Sequence, residues 1–354
     1  MFGDASRLVL ELPPLRRRKA LGGVAVALTA LGLSACGADA GGANAVPKEL
    51  EKLSLRLSWI KNVEFAGFFV AQERGFYKDE GIALTVNGTA QNLPEIQAVA
   101  TRADVIGLSG STSLLKARAQ GIPVKAFGAL FQKGPGCYIW LEKSGIKSIK
   151  DFKGKRLGGL QSARPSTNLI LSMHGLKPED VTFVPIGFDV TPLLTGQVDI
   201  LAGIVTNQVV VLEQQGEKVG YQSYNDLGFV SYWNTPFALE ETIKNRKDIL
   251  AAWMRASARG WVEAIKAPDQ TAKLIVEKYG EGLDLKNQTI EMQREIPFIQ
   301  TDFTKQKGFF WMEAPVWQKA HDSLRQIPGE LDQAVKIDDV MTLEILQKVG
   351  KIGG

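Results

Sequence analysis

The stretch that decides the fold is EKLSLRLSWIKNVEFAGFFVAQERGFYKDEGIALTV, residues 51–86. Its apolar residues alternate with polar ones over 53–59, which is the period of a β-strand. Residues 66–74 then have a helical pattern, and Gly75 ends it. Alternation returns over 82–86. A strand, a helix and a second strand in succession predict a βαβ unit, whose two strands pair in parallel.

The same succession of strands and helices continues outward from this stretch. The further predicted elements are helices at 93–99, 111–120, 165–174 and 208–215 and strands at 104–108, 122–130, 155–160, 181–186 and 198–204. The last third of the chain is mostly helical, and apolar residues between Ile249 and Ile265 form one stripe that is typical of a core-facing helix. We therefore predict an α/β fold with mainly parallel sheets flanked by helices.

The first 35 residues have the three parts of a secretory signal. A basic block at 16–19 precedes an uncharged run at 20–35, and Leu-Ser-Ala stands directly before Cys36. The uncharged run is shorter than the roughly 20 residues that span a bilayer. Cys after Leu-Ser-Ala resembles the bacterial lipobox, which implies cleavage before Cys36 and lipidation of its thiol. An ordinary signal peptide with an incidental Cys is the alternative. Residues 36–48 are rich in small residues and are predicted to form a flexible tether.

Removal of this leader changes the charge and the cysteine chemistry. The full chain of 354 residues has a formal net charge of +4. The first 35 residues carry five basic side chains against two acidic ones, a balance of +3, so the remaining 319 carry about +1. This near-neutral balance argues against a nucleic-acid-binding surface. With Cys36 acylated, Cys137 has no partner for an internal disulfide, and we interpret it as a small apolar core residue.

From residue 57 onward the sequence resembles solute-binding proteins of the NMT1/THI5-like family. The matching blocks are LSWIKNVEFAGFFVAQERGFYKDEGI at 57–82, LLKARAQG at 114–121, SGI at 144–146, DFKGK at 151–155, LTGQVD at 194–199 and the segment 207–216. The resemblance covers most of residues 50–345. It implies the two-lobed, type II-like fold of periplasmic binding proteins and a role as receptor of an ABC importer. Family ligands include riboflavin, thiamine-precursor pyrimidines, sulfonates and nitrate.

In such a fold the chain crosses from one lobe to the other and back. We place the crossings near residues 132–136 and 232–236, where Gly and Pro interrupt the pattern. Lobe 1 would comprise 49–133 and 235–354, and lobe 2 would comprise 134–234. The ligand is then expected in the cleft between the lobes, at strand ends and helix N-termini.

Eleven residues are candidates for ligand contact. They are Trp59, Asn62, Phe65, Ser111, Thr112, Gln132, Gln161, Asn207, Gln208, Tyr232 and Trp233. Trp59 occupies the position where the family places an aromatic ring against its ligand, and an indole can stack on a flat ring over a large area. Asn62 offers a hydrogen-bond donor and an acceptor. Ser111 opens a predicted helix, whose free N–H groups could face a polar group of the ligand.

Several of these candidates also have a purely structural interpretation. Trp59 or Phe65 could belong to the core, and Asn62 could form a turn. Ser111 suits a helix N-cap. Tyr232 and Trp233 could pack the two lobes together instead of closing over a ligand.

The pair Asn207-Gln208 bears on the choice of ligand. Thiamine-precursor relatives tend to have Asn-Glu-Pro in this block, whereas this chain has Gln208 and Val209. A carboxylate suits an aminopyrimidine, which presents donors, while a neutral amide suits the imide edge of a flavin. Phe65 stands where the same relatives often carry His. These departures favour riboflavin first and a thiamine-precursor pyrimidine second; a sulfonate or nitrate at a helix N-terminus is a third alternative.

An enzyme of pyrimidine synthesis, the other branch of this superfamily, is the alternative from a different class. The resemblance implies that it needs a His and a Cys-rich motif, but this chain has His174, His321 and two Cys. Neither His has the spacing of a metal ligand, and residues 158–161 lack the spacing of a dinucleotide-binding loop. We interpret the scattered carboxylates as solvated faces. We expect a monomeric, lipid-anchored, extracytoplasmic receptor without metal or cofactor, which docks on ABC permease subunits.

Overall fold

The structure is a computed structural model that describes residues 49–88, 93–187 and 189–353. All of them belong to one unit of the chain, Pro47–Gly354. The predicted signal peptide, Cys36 and the tether lie outside the described residues. In the part of the chain that is described, no helix is long and apolar enough to cross a membrane.

The described strands form two five-stranded sheets. Their bounds are β1 (Glu51–Arg56), β2 (Ile82–Asn87), β3 (Ile106–Ser109), β4 (Val124–Ala126), β5 (Gly136–Leu141), β6 (Arg156–Gly159), β7 (Thr182–Pro185), β8 (Ile200–Ile204), β9 (Val219–Ser223) and β10 (Thr235–Leu239). The first sheet has the order β2-β1-β3-β10-β4, and the second has the order β7-β6-β8-β5-β9.

Helices flank both sheets, and those after β10 make the last third of the chain helical, as predicted. The bounds are α1 (Ala66–Glu73), α2 (Phe76–Asp79), α3 (Glu95–Ala100), α4 (Ser111–Ala119), α5 (Arg164–Met173), α6 (Thr191–Leu194), α7 (Gln208–Gln214), α8 (Glu240–Asn245), α9 (Lys247–Lys266), α10 (Pro268–Lys278), α11 (Leu285–Ile299), α12 (Asp302–Lys307), α13 (Ala314–Arg325), α14 (Ile337–Val340) and α15 (Glu344–Val349). Short 3-10 helices lie at Val63–Phe65, Glu142–Ser144, Ile149–Asp151, Gln161–Ala163 and Pro178–Asp180.

Each sheet has four strands in one direction and one strand that opposes them. β1 pairs in parallel with β2 and with β3, and β10 then runs antiparallel between β3 and β4. In the second sheet β6 pairs in parallel with β7 and β8, and β5 runs antiparallel between β8 and β9. The opposing strand in each sheet is the one that the chain enters after leaving the other sheet. This arrangement confirms the predicted α/β fold with mainly parallel sheets.

The first βαβ unit forms where the sequence predicts it. Leu53 and Leu55 are buried on one face of β1, and α1 ends just before Gly75, which has a positive φ of 76°. The strand ends at Arg56, so Trp59 lies beyond the alternating series in which we placed it. α1 packs closely on α9: a Cβ on Gly260 would lie 2.1 Å from the carbonyl oxygen of Gly67. Backbone contact of this kind requires glycine.

Two segments join the sheets and lie side by side. Residues 127–135 lead from β4 to β5, and residues 224–234 lead from β9 back to β10. Phe131 and Trp233 form an isolated antiparallel bridge, with N–H to carbonyl distances of 3.1 and 3.2 Å. Asn234 follows with a left-handed φ of 49°. Our assignment of residues to the two lobes stays a prediction.

Candidate ligand cleft

A cleft between the two sheets consists of two adjoining cavities. Leu160, Ile204 and Trp233 line both of them. Leu160 follows β6 and Ile204 ends β8, so the shared wall is formed at the carboxyl ends of parallel strands. Such ends are where open α/β sheets bind ligands.

The larger cavity has a volume of about 520 Å³, and we call it the acidic compartment. It is lined by Ser58, Trp59, Asn62, Glu64, Glu95, Leu160, Ile204, Thr206, Asn207, Gln208, Trp233, Glu291 and Glu295. Four of these side chains are carboxylic acids, and Lys and Arg are absent from this lining. The compartment therefore favours ligand groups that donate hydrogen bonds or carry positive charge.

The smaller cavity has a volume of about 220 Å³, and we call it the apolar compartment. It is lined by Thr112, Gly134, Gly136, Leu160, Ala163, Ser166, Thr167, Gly187, Ala202, Gly203, Ile204, Tyr224, Phe229, Ser231 and Trp233. Small, aliphatic and aromatic side chains dominate this wall, and it contains no ionisable acid or base apart from the Tyr224 phenol. An uncharged, flat molecular surface suits it better than a charged one.

Two indole rings lie at the acidic compartment. Trp59 is 36% exposed and stands in the loop after β1. Trp233 is half-buried on the return segment and donates from Nε1 to Glu64 Oε1 at 3.2 Å. Trp233 also lines the apolar compartment, so it belongs to the wall that the two cavities share.

Asn62 shapes the loop that carries Glu64. It is the N-cap of the 3-10 helix Val63–Phe65, and its Oδ1 accepts from the Glu64 backbone N–H at 3.2 Å. Glu64 accepts further bonds from Trp233 and, at 2.8 Å, from Asn234 Nδ2. Loss of solvent around the carboxyl raises the pKa of Glu64, and these hydrogen bonds oppose the rise.

Asn207 and Gln208 begin α7 at the opposite wall. Asn207 Nδ2 donates to Glu291 Oε1 at 2.8 Å, so this amide holds a carboxylate inside the cleft. Gln208 is buried, and its Oε1 accepts from the Ile204 backbone N–H at 2.9 Å. This bond fixes the turn between β8 and α7.

Helix α11 brings two buried glutamates to the cleft. Glu291 accepts from Asn207 and, at 2.8 Å, from Gln288 Nε2. Burial raises the pKa of Glu291 to about 7, and the charge of Glu64 contributes to the rise. Glu295 is 2% exposed, and its Oε2 has no hydrogen-bond partner. Burial, followed by the charges of Glu64 and Glu291, raises the pKa of Glu295 well above its ordinary value.

We call Glu64, Glu291 and Glu295 the glutamate cluster. The charge of Glu64 acts on Glu291 and Glu295, and the charge of Glu291 acts on Glu295, with little water to screen them. Like charges in a desolvated site favour the neutral carboxyl, which is the direction in which the pKa values of Glu291 and Glu295 are raised. We interpreted the scattered carboxylates as solvated, which is wrong for Glu291 and Glu295. The available signal was the spacing of Glu291 and Glu295, which share the apolar face of α11 with Met292 and Ile299.

Six of the eleven predicted residues line the cleft, and ligand contact by them stays a prediction. They are Trp59, Asn62, Thr112, Asn207, Gln208 and Trp233. The structure places the other five away from both compartments.

Three of these five residues are buried in the interior of the protein. Phe65 is fully buried in the core, so its ring is not available for stacking on a ligand in the cleft. Ser111 is also fully buried, and its Oγ accepts from the Tyr232 backbone N–H at 3.0 Å. The Tyr232 hydroxyl in turn accepts from the Glu313 backbone N–H at 2.9 Å. Ser111 and Tyr232 thus anchor the return segment.

The remaining two predicted residues have other surroundings. Gln132 Nε2 donates to the carbonyl oxygens of Ala129 and Trp311, both at 3.0 Å, and so fixes the first crossing segment. Gln161 is exposed and lines a separate groove beside Arg164. Neither residue lines the acidic or the apolar compartment.

Residues 49–88, 93–187 and 189–353 contain no group of three or more His, Cys, Asp or Glu that could hold a metal ion. Cys137 is fully buried, and burial raises the pKa of its thiol.

Comparisons with known proteins agree on the family. Residues 62–271 match the family model described as NMT1/THI5 like. The chain is 28% identical over 311 residues to the riboflavin-binding protein RibY of Chloroflexus aurantiacus, covering 86% of this chain and 88% of that protein. It is 26% identical over 264 residues to a 4-amino-5-hydroxymethyl-2-methylpyrimidine phosphate synthase of Legionella pneumophila, covering 73% and 80%.

A solved structure agrees on the fold. The periplasmic aliphatic sulphonate binding protein SsuA of Escherichia coli superposes with a TM-score of 0.65 at 15% identity, over 82% of this chain and 91% of that one. These findings confirm the resemblance seen in the sequence. The chain belongs to the NMT1/THI5-like family and has the two-lobed fold of periplasmic binding proteins.

Proposed function

We propose that this protein is the substrate-binding lipoprotein of an ABC importer and that its ligand is riboflavin. It would be a monomer held by Cys36 to the outer face of the cytoplasmic membrane, and it would deliver its ligand to the permease subunits. The family, the alignment with a riboflavin-binding protein over most of both chains and the predicted leader support this role.

The observation that carries the proposal is that the cleft has an apolar and an acidic compartment, which adjoin at Leu160, Ile204 and Trp233. Riboflavin has a flat aromatic ring system and a flexible chain of hydroxyl groups. The ring system matches the apolar compartment, where Tyr224 and Phe229 offer aromatic contact. The hydroxyl chain matches the acidic compartment, since carboxylates accept hydrogen bonds from hydroxyl groups. A single-ring ligand would occupy one compartment and leave the other to solvent.

A thiamine-precursor aminopyrimidine is the second candidate, and the glutamate cluster favours it. Gln208, in place of the carboxylate of thiamine-precursor relatives, disfavours this ligand. Glu291 supplies a carboxylate beside Asn207 instead, at 2.8 Å from its Nδ2. An aminopyrimidine could donate its amino group to such a carboxylate. By contrast, the same acidic lining repels a sulfonate or nitrate.

Fluorescence titration of the mature chain with Cys36→Ser, which avoids lipidation, tests the riboflavin proposal. Stacking on an indole is expected to quench both flavin and Trp emission. Trp59→Leu should weaken the binding, whereas Trp311→Leu, outside the cleft, should not. Absence of quenching at micromolar protein would reject riboflavin. Conversion of a bound pyrimidine or flavin into a product would instead support the enzyme alternative.

A further inference from the structure

One buried polar atom in the cleft lacks a partner within the protein. Glu295 is 2% exposed and lines the acidic compartment, and its Oε2 makes no hydrogen bond. The great majority of buried polar side-chain atoms in folded proteins are hydrogen-bonded, so an exception inside a cavity calls for a functional account.

The neighbouring carboxyls differ from Glu295 because the protein already supplies their donors. Glu64 accepts from Trp233 and Asn234, and Glu291 accepts from Asn207 and Gln288 on its two oxygens. These bonds fix the two carboxyls in place. Glu295 Oε2, by contrast, is a fully buried carboxyl oxygen for which the protein supplies no donor, so it can accept one from a ligand.

Positive charge that could balance the glutamate cluster is also missing from the cavity wall. Within the described ranges, the lining of the acidic compartment contains neither Lys nor Arg nor His. A buried carboxyl that lacks an internal cation is stabilised by whatever donor or cation enters the cavity. The complement to this cluster therefore has to arrive with the ligand.

We propose that the glutamate cluster is the specificity-determining subsite, in which Glu295 accepts a hydrogen bond from an O–H or N–H group of the ligand and anionic ligands are rejected. The inference rests on the proposed binding function and deepens it. The donor can come from the hydroxyl chain of a flavin or from the amino group of an aminopyrimidine. Phosphate and sulfonate groups carry negative charge and are excluded from the acidic compartment.

Calorimetric titration of the mature chain with five probes distinguishes these sources. The probes are riboflavin, lumiflavin (which has the ring without the hydroxyl chain), flavin mononucleotide, 4-amino-5-hydroxymethyl-2-methylpyrimidine and ethanesulfonate. Each is titrated into the wild type, Glu295→Gln, Glu295→Leu and Glu281→Gln. Glu281 is an exposed glutamate and serves as the matched control. The melting temperature of each variant is measured in parallel.

We expect the wild type to bind a neutral donor ligand and neither flavin mononucleotide nor ethanesulfonate. Glu295→Gln should weaken riboflavin about tenfold, since a bond to a charged group is stronger than a neutral one. Glu295→Leu should weaken it further, and Glu281→Gln should leave it unchanged. Lumiflavin should bind all four proteins with similar affinity if the hydroxyl chain is the donor. If the Glu295 variants lose as much affinity for lumiflavin as for riboflavin, the donor lies on the ring system. Both variants should melt at or above the wild-type temperature, because an unpartnered buried carboxyl destabilises the fold.

The outcomes separate this inference from the proposed function. Riboflavin that binds equally well to the wild type and to both Glu295 variants overturns the inference and leaves the function intact. A second outcome is that the wild type binds the aminopyrimidine and not riboflavin, with that binding lost in both Glu295 variants. This outcome rejects riboflavin as the ligand and supports the inference. Tight binding of ethanesulfonate or flavin mononucleotide overturns the inference. If both Glu295 variants have a lowered melting temperature and lose every probe alike, Glu295 has a structural role and the inference is overturned. Failure of the wild type to bind any probe overturns both.

Discussion

The empty protein should be more stable at pH 5 than at pH 8, and Glu291→Gln should remove much of the difference. Burial raises the pKa of Glu291 from an ordinary 4.5 to about 7. Below pH 4.5 the carboxyl is protonated in both folded and unfolded chains. Between these two values the unfolded chain releases the proton while the folded chain retains it. Stability therefore falls as pH rises through this window and levels off above it.

The magnitude follows from the width of the window. Within this window the folded chain carries one proton more than the unfolded chain. Each pH unit then lowers the free energy of unfolding by about 1.4 kcal/mol. A window from 4.5 to about 7 then corresponds to roughly 3 kcal/mol for Glu291 alone. The pKa values of Glu64 and Glu295 are raised in the same direction and add to the fall.

Urea unfolding of the ligand-free protein at half-unit steps from pH 4.5 to pH 8 measures this dependence. Glu291→Gln should flatten the curve, and Glu281→Gln, at an exposed position, should reproduce the wild-type slope. A wild-type stability that stays level or rises across this range would mean that the carboxyls are ionised in the empty cleft. It would refute the reasoning from burial.

Four further outcomes are expected. Riboflavin affinity should rise from pH 5 to pH 8 in calorimetric titrations, because a donor ligand favours ionised carboxyls. Trp59→Ala should weaken riboflavin at least tenfold in fluorescence titration if the indole stacks on the ring, through the loss of about 1.4 kcal/mol. Gly260→Ala should lower stability in urea unfolding by about 2 kcal/mol, because its Cβ would clash with an α1 carbonyl. Arg56→Met should cost about 3 kcal/mol by leaving the fully buried Asp104 carboxylate without its cation at 2.7 Å, whereas Arg102→Met, at an exposed ion pair, should cost under about 1 kcal/mol.

The sequence predicted those parts of the fold that local signals determine. α1 and α4 begin where we expected and end within a residue of the expected position, because a glycine follows shortly after each helix and takes a positive φ. The strand expected over 122–130 is only Val124–Ala126. Beyond it, the N–H of Phe127 bonds to the Pro236 carbonyl and the N–H of Ala129 bonds to the Phe310 carbonyl. Partners so distant in sequence leave no local pattern.

The candidate site was predicted in part, and the reason is again the distance in sequence. Trp59 and Asn207 follow strand ends, which a βαβ pattern locates. Glu291 and Glu295 come from a helix more than 200 residues after Trp59, and their burial depends on how that helix docks. Phe65 shows the opposite error: an aromatic next to predicted cleft residues lies fully in the core. Proximity in sequence does not decide which face of a turn meets the cavity.

The position of β10 has a consequence for the order in which the protein is assembled. β10 lies between β3 and β4, although about 110 residues separate it in sequence from β4. As the chain grows, β3 and β4 are complete long before the strand that joins them, so both have unpaired edges that can pair wrongly. The second sheet uses the contiguous strands β5 to β9 and can close earlier. Export in an unfolded form would let both sheets form at once, after the whole chain has been released.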